Sequence, residues 1–88
     1  MPRKRRKVTH SEAYGAVQLE MLIVLQEQAT ATVDDVRARL DIPDSAVMKI
    51  GPAINQLRQD GRIVPVDRMN TGRRRAHGRE VKVWRLAD

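Results

Sequence analysis

The stretch Ile54-Asn55-Gln56-Leu57-Arg58-Gln59-Asp60-Gly61-Arg62-Ile63-Val64, continued by Arg73-Arg74-Arg75-Ala76-His77-Gly78-Arg79 and Val81-Lys82-Val83-Trp84, decides the architecture. Val47, Ile50, Ile54 and Leu57 recur at steps of 3, 4 and 3 residues, the period of a one-sided helix over residues 45–60. Gly61 follows as the left-handed residue that ends it. Residues 62–66 and 80–86 then read as two antiparallel strands, with Pro65 placing the first at a sheet edge. Between them runs a long polar loop rich in arginine, glycine, asparagine and threonine. In so small a chain a loop of that length is more often functional than idle. Gly51-Pro52 interrupts the helical stretch, so it is expected either as one helix or as a short turn over 44–50 followed by the main helix from Pro52.

Upstream, Thr9 and Glu12 have the spacing of a capping box and predict a helix from residue 9 to about 28. Residues 21–25 are apolar on every side, which predicts either a central helix or one covered by a second subunit. Ala29-Thr30-Ala31-Thr32 is a break with β-prone residues, expected to hold at most a short strand. Thr32 and Asp35 can cap a second helix over residues 33–40, and Asp41-Ile42-Pro43-Asp44 turns the chain towards the third. The expected class is α+β, three helices plus a C-terminal β-hairpin.

Eighty-eight residues allow one domain, preceded by a charged arm. Residues 1–8 carry five Lys or Arg and no acid, and are expected to be disordered until they meet an anion, leaving 9–88 as the domain. Residues 9–44 carry two arginines against seven acids, and residues 45–88 ten Lys or Arg against four acids. This segregation, within a net charge of +6, is the pattern of a surface that faces a polyanion. The competing reading is an ordinary solvated charged surface.

Composition removes several classes. Cysteine is absent, which excludes disulfides and thiolate metal sites. His10 and His77 have no visible carboxylate cluster to complete a zinc site. No apolar run approaches the ~20 residues of a membrane helix, and no signal-peptide segment follows the basic start. Neither a nucleophilic triad nor a phosphate-cradling glycine loop is visible, so neither enzyme activity, a cofactor nor a small-molecule ligand is expected. Glu12, Glu20, Glu27, Asp34 and Asp35 look like helix surface and caps.

The segment Val33-Asp34-Asp35-Val36-Arg37-Ala38-Arg39-Leu40-Asp41-Ile42-Pro43-Asp44-Ser45-Ala46-Val47, with Leu57, Gly61, Arg62 and Ile63 after it, resembles winged helix-turn-helix DNA-binding domains. Within that family it resembles small winged-helix proteins of bacteria and their phages, through Gly51, Ala76-His77-Gly78 and Val83-Trp84-Arg85. The likeness covers about residues 16–86 and rests on the order of individually weak motifs. The resemblance implies that helices 2 and 3 form the helix-turn-helix and that the hairpin is the wing. It also implies double-stranded DNA as partner, with a role as transcriptional regulator or phage accessory factor. The chain departs from the common pattern by about one extra turn between Val47 and Gly61 and by Gly51-Pro52, which leaves open where the recognition helix begins.

Asparagine and glutamine match adenine edges, and lysine and arginine match guanine. The resemblance favours the first half of helix 3, giving Ser45, Met48, Lys49, Asn55 and Gln56 as base readers, with Arg58 and Gln59 as surface or backbone contacts. Arg73, Arg74, Arg75 and Arg79 in the wing suit phosphate forks or minor-groove insertion. Arg3, Lys4, Arg5, Arg6 and Lys7 form a basic arm for further phosphates. Trp84 is expected in hairpin packing and Tyr14 in helix packing, and His77 is expected without a catalytic part.

Two other readings stand beside this one. The first is a winged-helix protein-interaction module that uses apolar helix 1 without nucleic acid, whereas a homodimer through helix 1 is an option of the DNA-binding reading as well. The second is an RNA binder, which scarce aromatics disfavour. The expected compartment is the cytoplasm, on the nucleoid in a bacterium. The run Pro2-Arg3-Lys4-Arg5-Arg6-Lys7-Val8 also matches a short nuclear-import signal.

Overall fold

The structure is a computed structural model that describes residues 5–70 and 80–87, with side chains over 5–66 and 81–87. Its order is β1 (Arg6–Lys7), α1 (Ala13–Glu27), α2 (Val33–Arg37), β2 (Leu40–Asp41), a 3-10 helix (Asp44–Lys49), α3 (Ile50–Gln59), β3 (Ile63–Asn70) and β4 (Glu80–Leu86). The class is therefore mixed helix and strand.

The Thr9–Glu12 pair forms as expected, but one turn ahead of the helix. Thr9 N–H donates to the Glu12 carboxylate at 3.0 Å, and Glu12 N–H donates back to the Thr9 hydroxyl at 3.3 Å. The turn they close leads into α1 at Ala13, three residues inside the predicted start after residue 9 is counted as cap. Along α1, Ala13, Val17, Met21, Val24 and Leu25 are buried, while Leu22 is half-buried against the same core. The helix runs through the centre, touching α2, α3 and β4. That explains why residues 21–25 are apolar all round. Leu19 remains exposed on its outer side.

Thr32 and Asp35 make the full reciprocal cap of α2, with Thr32 N–H donating to Asp35 at 2.8 Å. This helix is shorter than the predicted 33–40. It stops at Arg37, and Leu40 and Asp41 instead form β2, parallel to Arg6 and Lys7. Arg6 N–H donates to the Arg39 carbonyl at 2.9 Å, and Val8 N–H to the Asp41 carbonyl at 3.2 Å. Residues 6–8 thus differ from the expected disordered arm. Repulsion among adjacent cations is a property of the isolated segment. In the fold, Glu20 lies 3.8 Å from the Arg6 guanidinium, and Val8 is buried. Both contacts come from residues remote in sequence.

The third helical stretch is divided between Lys49 and Ile50, where a 3-10 helix gives way to α3, so α3 starts two residues before the expected Pro52 and takes in Gly51-Pro52. Pro52 is the third residue of α3, where a missing N–H costs no intrahelical bond. A side chain before proline disfavours helical backbone, and Gly51 has none. At the far end Gly61 has φ 75°. Its N–H donates to the Arg58 carbonyl and Arg62 N–H to the Leu57 carbonyl, each at 3.0 Å. This double closure is the Schellman pattern. It aims Ile63 into the core, where it is fully buried beside Leu57 and Ile54.

β3 extends to Asn70, beyond the predicted limit at residue 66, and pairs antiparallel with β4 from Ile63↔Leu86 to Asn70↔Glu80. A register shift falls between Pro65 and Asp67. Ala31 bridges to Trp84 on the other side of β4, so the expected strand between the first two helices is reduced to one residue. Trp84, 5% exposed, joins Leu25, Ala31 and Ile63 in the core. The predicted packing role of Tyr14 holds: it lies against the core, and its hydroxyl donates to the Pro52 carbonyl at 3.4 Å.

Candidate nucleic-acid interface

The outward face of α3 follows from its buried one. Ile50, Ala53, Ile54 and Leu57 face the core, so Gly51, Pro52, Asn55, Arg58 and Gln59 are left exposed, and Arg62 is exposed just beyond the cap. Asn55 lies one turn after Gly51, and Arg58 and Gln59 follow at the next turn. This stripe is the exposed face of α3. Arg58 and Gln59 therefore stand on the same side as Asn55, not behind it. The apolar phase of the helix carries that information in the sequence.

The five predicted base readers are not equivalent. The Ser45 hydroxyl lies 3.1 Å from His10 Nδ1. Lys49 Nζ donates to the His10 carbonyl at 2.9 Å. These contacts tie the 3-10 helix to the turn before α1. Gln56 Nε2 donates to Asp60 Oδ1 at 2.9 Å, an i to i+4 pair along the helix. Met48 is 86% exposed, and Asn55 is exposed with its amide making no hydrogen bond among the described residues. Of the five, Met48 and Asn55 are the ones whose side chains are uncommitted.

Across from Asn55 stands β4. Val33, Gly51, Ile54, Asn55, Val81, Lys82 and Trp84 line one hollow between α3, the start of α2 and β4. Its floor is apolar, and among the described residues its lining holds one cation and no acid. Lys82 Nζ lies 5.7 Å from the centre of the Trp84 ring, within cation–π range. Lys82 was not singled out by the sequence. The signal was available, since it is two residues from a buried tryptophan on a strand and so shares its face.

The acids of the N-terminal half are gathered elsewhere. Arg39 donates to Glu27 at 2.6 Å and to the buried Glu20 at 3.4 Å, with Arg6 also beside Glu20. The hydrogen bond to Glu27 raises the Arg39 pKa. The Thr9 backbone and hydroxyl hold the Glu12 carboxyl below its ordinary value. Arg5 lines a polar hollow with Asp34, Arg37 and Asp41, while Arg6 and Lys7 are exposed in β1. Arg3 and Lys4 of the predicted arm, and Arg73, Arg74, Arg75, His77 and Arg79 of the predicted wing, lie outside the described residues.

Among the described residues no three His, Asp or Glu are grouped to hold a metal ion, and no helix is long and apolar enough to cross a membrane. No family model matches the chain, and no curated protein or solved structure matches it.

Proposed function

We propose that this chain binds double-stranded DNA as a winged helix-turn-helix protein, acting in transcriptional regulation or as a phage accessory factor. The observation that carries this reading is the shared face of α3 and β4. Asn55 and Gly51 border the same hollow as Lys82 and Val81, so a duplex laid on α3 also meets the hairpin. Apart from the short β1–β2 pair and the 3-10 helix, the order α1, bridging Ala31, α2, α3, β3, β4 supports the same reading. The loop joining β3 to β4 carries Arg73, Arg74, Arg75 and Arg79 in sequence, matched to phosphates or a minor groove. In this arrangement α3 lies in the major groove, the hairpin tip touches neighbouring backbone, and Arg3, Lys4, Arg5 and Lys7 add contacts from the arm.

The test is fluorescence anisotropy of a labelled random duplex titrated with protein at several salt concentrations, with single-stranded DNA as competitor. Neutralising about five phosphates gives a slope of log K against log salt near −4 to −5. Duplex-preferring binding with that slope supports the reading. No duplex binding at low salt overturns it in favour of a protein partner, and preferential capture by single strands overturns it in favour of RNA or single-stranded DNA.

A further inference from the structure

We infer that the hollow between α3 and β4 is a subsite for an A·T base pair, in which Asn55 reads the adenine and the apolar floor takes the thymine methyl. This rests on the duplex-binding reading above and adds a base preference to it. Four features of the hollow converge on that pair.

Asn55 is the amide of the exposed stripe of α3 that lines the hollow; Gln59, exposed on the same stripe, does not. Asn55 carries both a donor and an acceptor, the pair that matches N6 and N7 of adenine on the major-groove edge. Its neighbour Gln56 has the same chemistry but donates to Asp60 at 2.9 Å. The floor beside Asn55 is Val33, Ile54, Val81 and Trp84. On the same edge of an A·T pair, thymine presents its C5 methyl, whose natural complement is apolar. A cytosine in that place would bring an N4 amino group to a lining that, among the described residues, holds no carboxylate to accept it. The apolar floor therefore disfavours the competitor as well as favouring thymine.

Charge selects a nucleic-acid occupant over an apolar protein segment. Lys82 stands on the rim of the hollow, held near the Trp84 ring, with Arg58 and Arg62 exposed along the helix side. These cations can flank the base pair with phosphate contacts. At the start of α3, Gly51 leaves the mouth without a side chain, and a Cβ built there meets no atom within 4 Å apart from its chain neighbours and the backbone of its own helix. A base edge can therefore come close to the helix backbone at that end.

The test begins with selection of preferred duplexes from a randomised library by the full chain, followed by anisotropy on the selected site and its variants. The expected result is a position occupied by A·T. Changing its thymine to deoxyuridine, which removes only the methyl, should weaken binding about 3- to 5-fold, the worth of one buried methyl. Changing the pair to G·C should weaken it about 5- to 150-fold, and Asn55→Ala should remove most of that discrimination while melting like the wild type. Lys82→Ala should lower affinity for all duplexes alike and flatten the salt slope by about 1. The inference is overturned if the wild type binds duplex but Asn55→Ala leaves its base preference unchanged, or if deoxyuridine binds as well as thymine at every A·T position. Absence of any duplex binding by the wild type would instead remove the underlying reading, and this inference with it.

Discussion

Ala31 and Trp84 exchange both backbone hydrogen bonds, at 3.0 and 2.8 Å, and so tie the hairpin to the link between α1 and α2. One consequence concerns Pro65, which lies opposite Trp84 on β3. Backbone groups on a strand alternate in direction, and those of Trp84 are turned towards Ala31. The Pro65–Trp84 pair is therefore the non-hydrogen-bonded kind, and the missing proline N–H faces the open edge. The tryptophan ring supplies the packing that holds this junction shut. Trp84→Ala should cost about 3–5 kcal/mol, comparable to the whole stability of a domain this size, and Trp84→Phe clearly less. Urea unfolding followed by circular dichroism checks both. A Trp84→Ala protein as stable as the wild type would show that the hairpin does not depend on the ring.

Glu20 joins three parts of the chain. It lies on α1, and its carboxylate meets Arg39 before β2 and Arg6 in β1. Its side chain is 11% exposed, whereas Arg6 is 54% exposed, so the pairs lie between the surface and buried limits. Glu20→Gln should destabilise the fold by about 1–2 kcal/mol, more than a surface pair and less than a buried one. It should also loosen β1 first. Limited trypsin digestion checks this, with cleavage after Arg5, Arg6 and Lys7 expected to accelerate before cleavage after Arg58 in α3.

The Thr9 backbone N–H, and after it the Thr9 hydroxyl, hold the Glu12 carboxyl below its ordinary value of 4.5. The folded state therefore binds this proton less readily than the unfolded chain. The resulting stabilisation is present above the ordinary carboxylate range and is lost as pH falls through the lowered folded value. Glu12→Gln should therefore lose less stability than the wild type between about pH 5.5 and pH 3. Urea midpoints at the two ends of that range check it. The other carboxylates are common to both proteins and largely cancel in the comparison.

The cap of α2 is a local prediction of a different kind. Asp35 N–H donates to the Thr32 side chain at 3.4 Å, and Thr32 is buried. Thr32→Ala should cost about 1 kcal/mol, and Thr32→Ser much less, because serine keeps the acceptor. Thermal melts of the two variants check this. Equal melting points would assign the role of Thr32 to packing.

For the proposed DNA contacts, alanine at Arg73, Arg74 and Arg75 together should flatten the slope of log K against log salt by about 2.7, at ~0.9 per phosphate. Anisotropy at four or five salt concentrations measures it, with thermal melting as the control for folding. An unchanged slope would take these arginines out of the mechanism.

Local chemistry was legible where both partners sit within a few residues. Thr9 with Glu12, Thr32 with Asp35, a division of the third helical stretch within two residues of Gly51-Pro52, and the left-handed Gly61 could each be read because a cap, a proline or a positive φ depends on its immediate neighbours. The apolar period of 47, 50, 54 and 57 likewise fixed which side of α3 is buried, and through it the exposed stripe that carries Asn55, Arg58 and Gln59. What the tertiary structure alone decided is everything that depends on distant partners. Arg6 and Lys7 become a strand because residues 40 and 41 offer a free edge and Glu20 offers a counter-ion. α2 ends at Arg37 for the same reason, since Leu40 is drawn into the core and into that pairing. Ser45 and Lys49 looked free from the sequence, yet His10 sits beside both. Lys82 gains its place beside Asn55 only when β4 folds back next to α3. Sequence pattern constrains the sign and period of local interactions, whereas the pairing of remote charges and edges depends on where the chain returns in space.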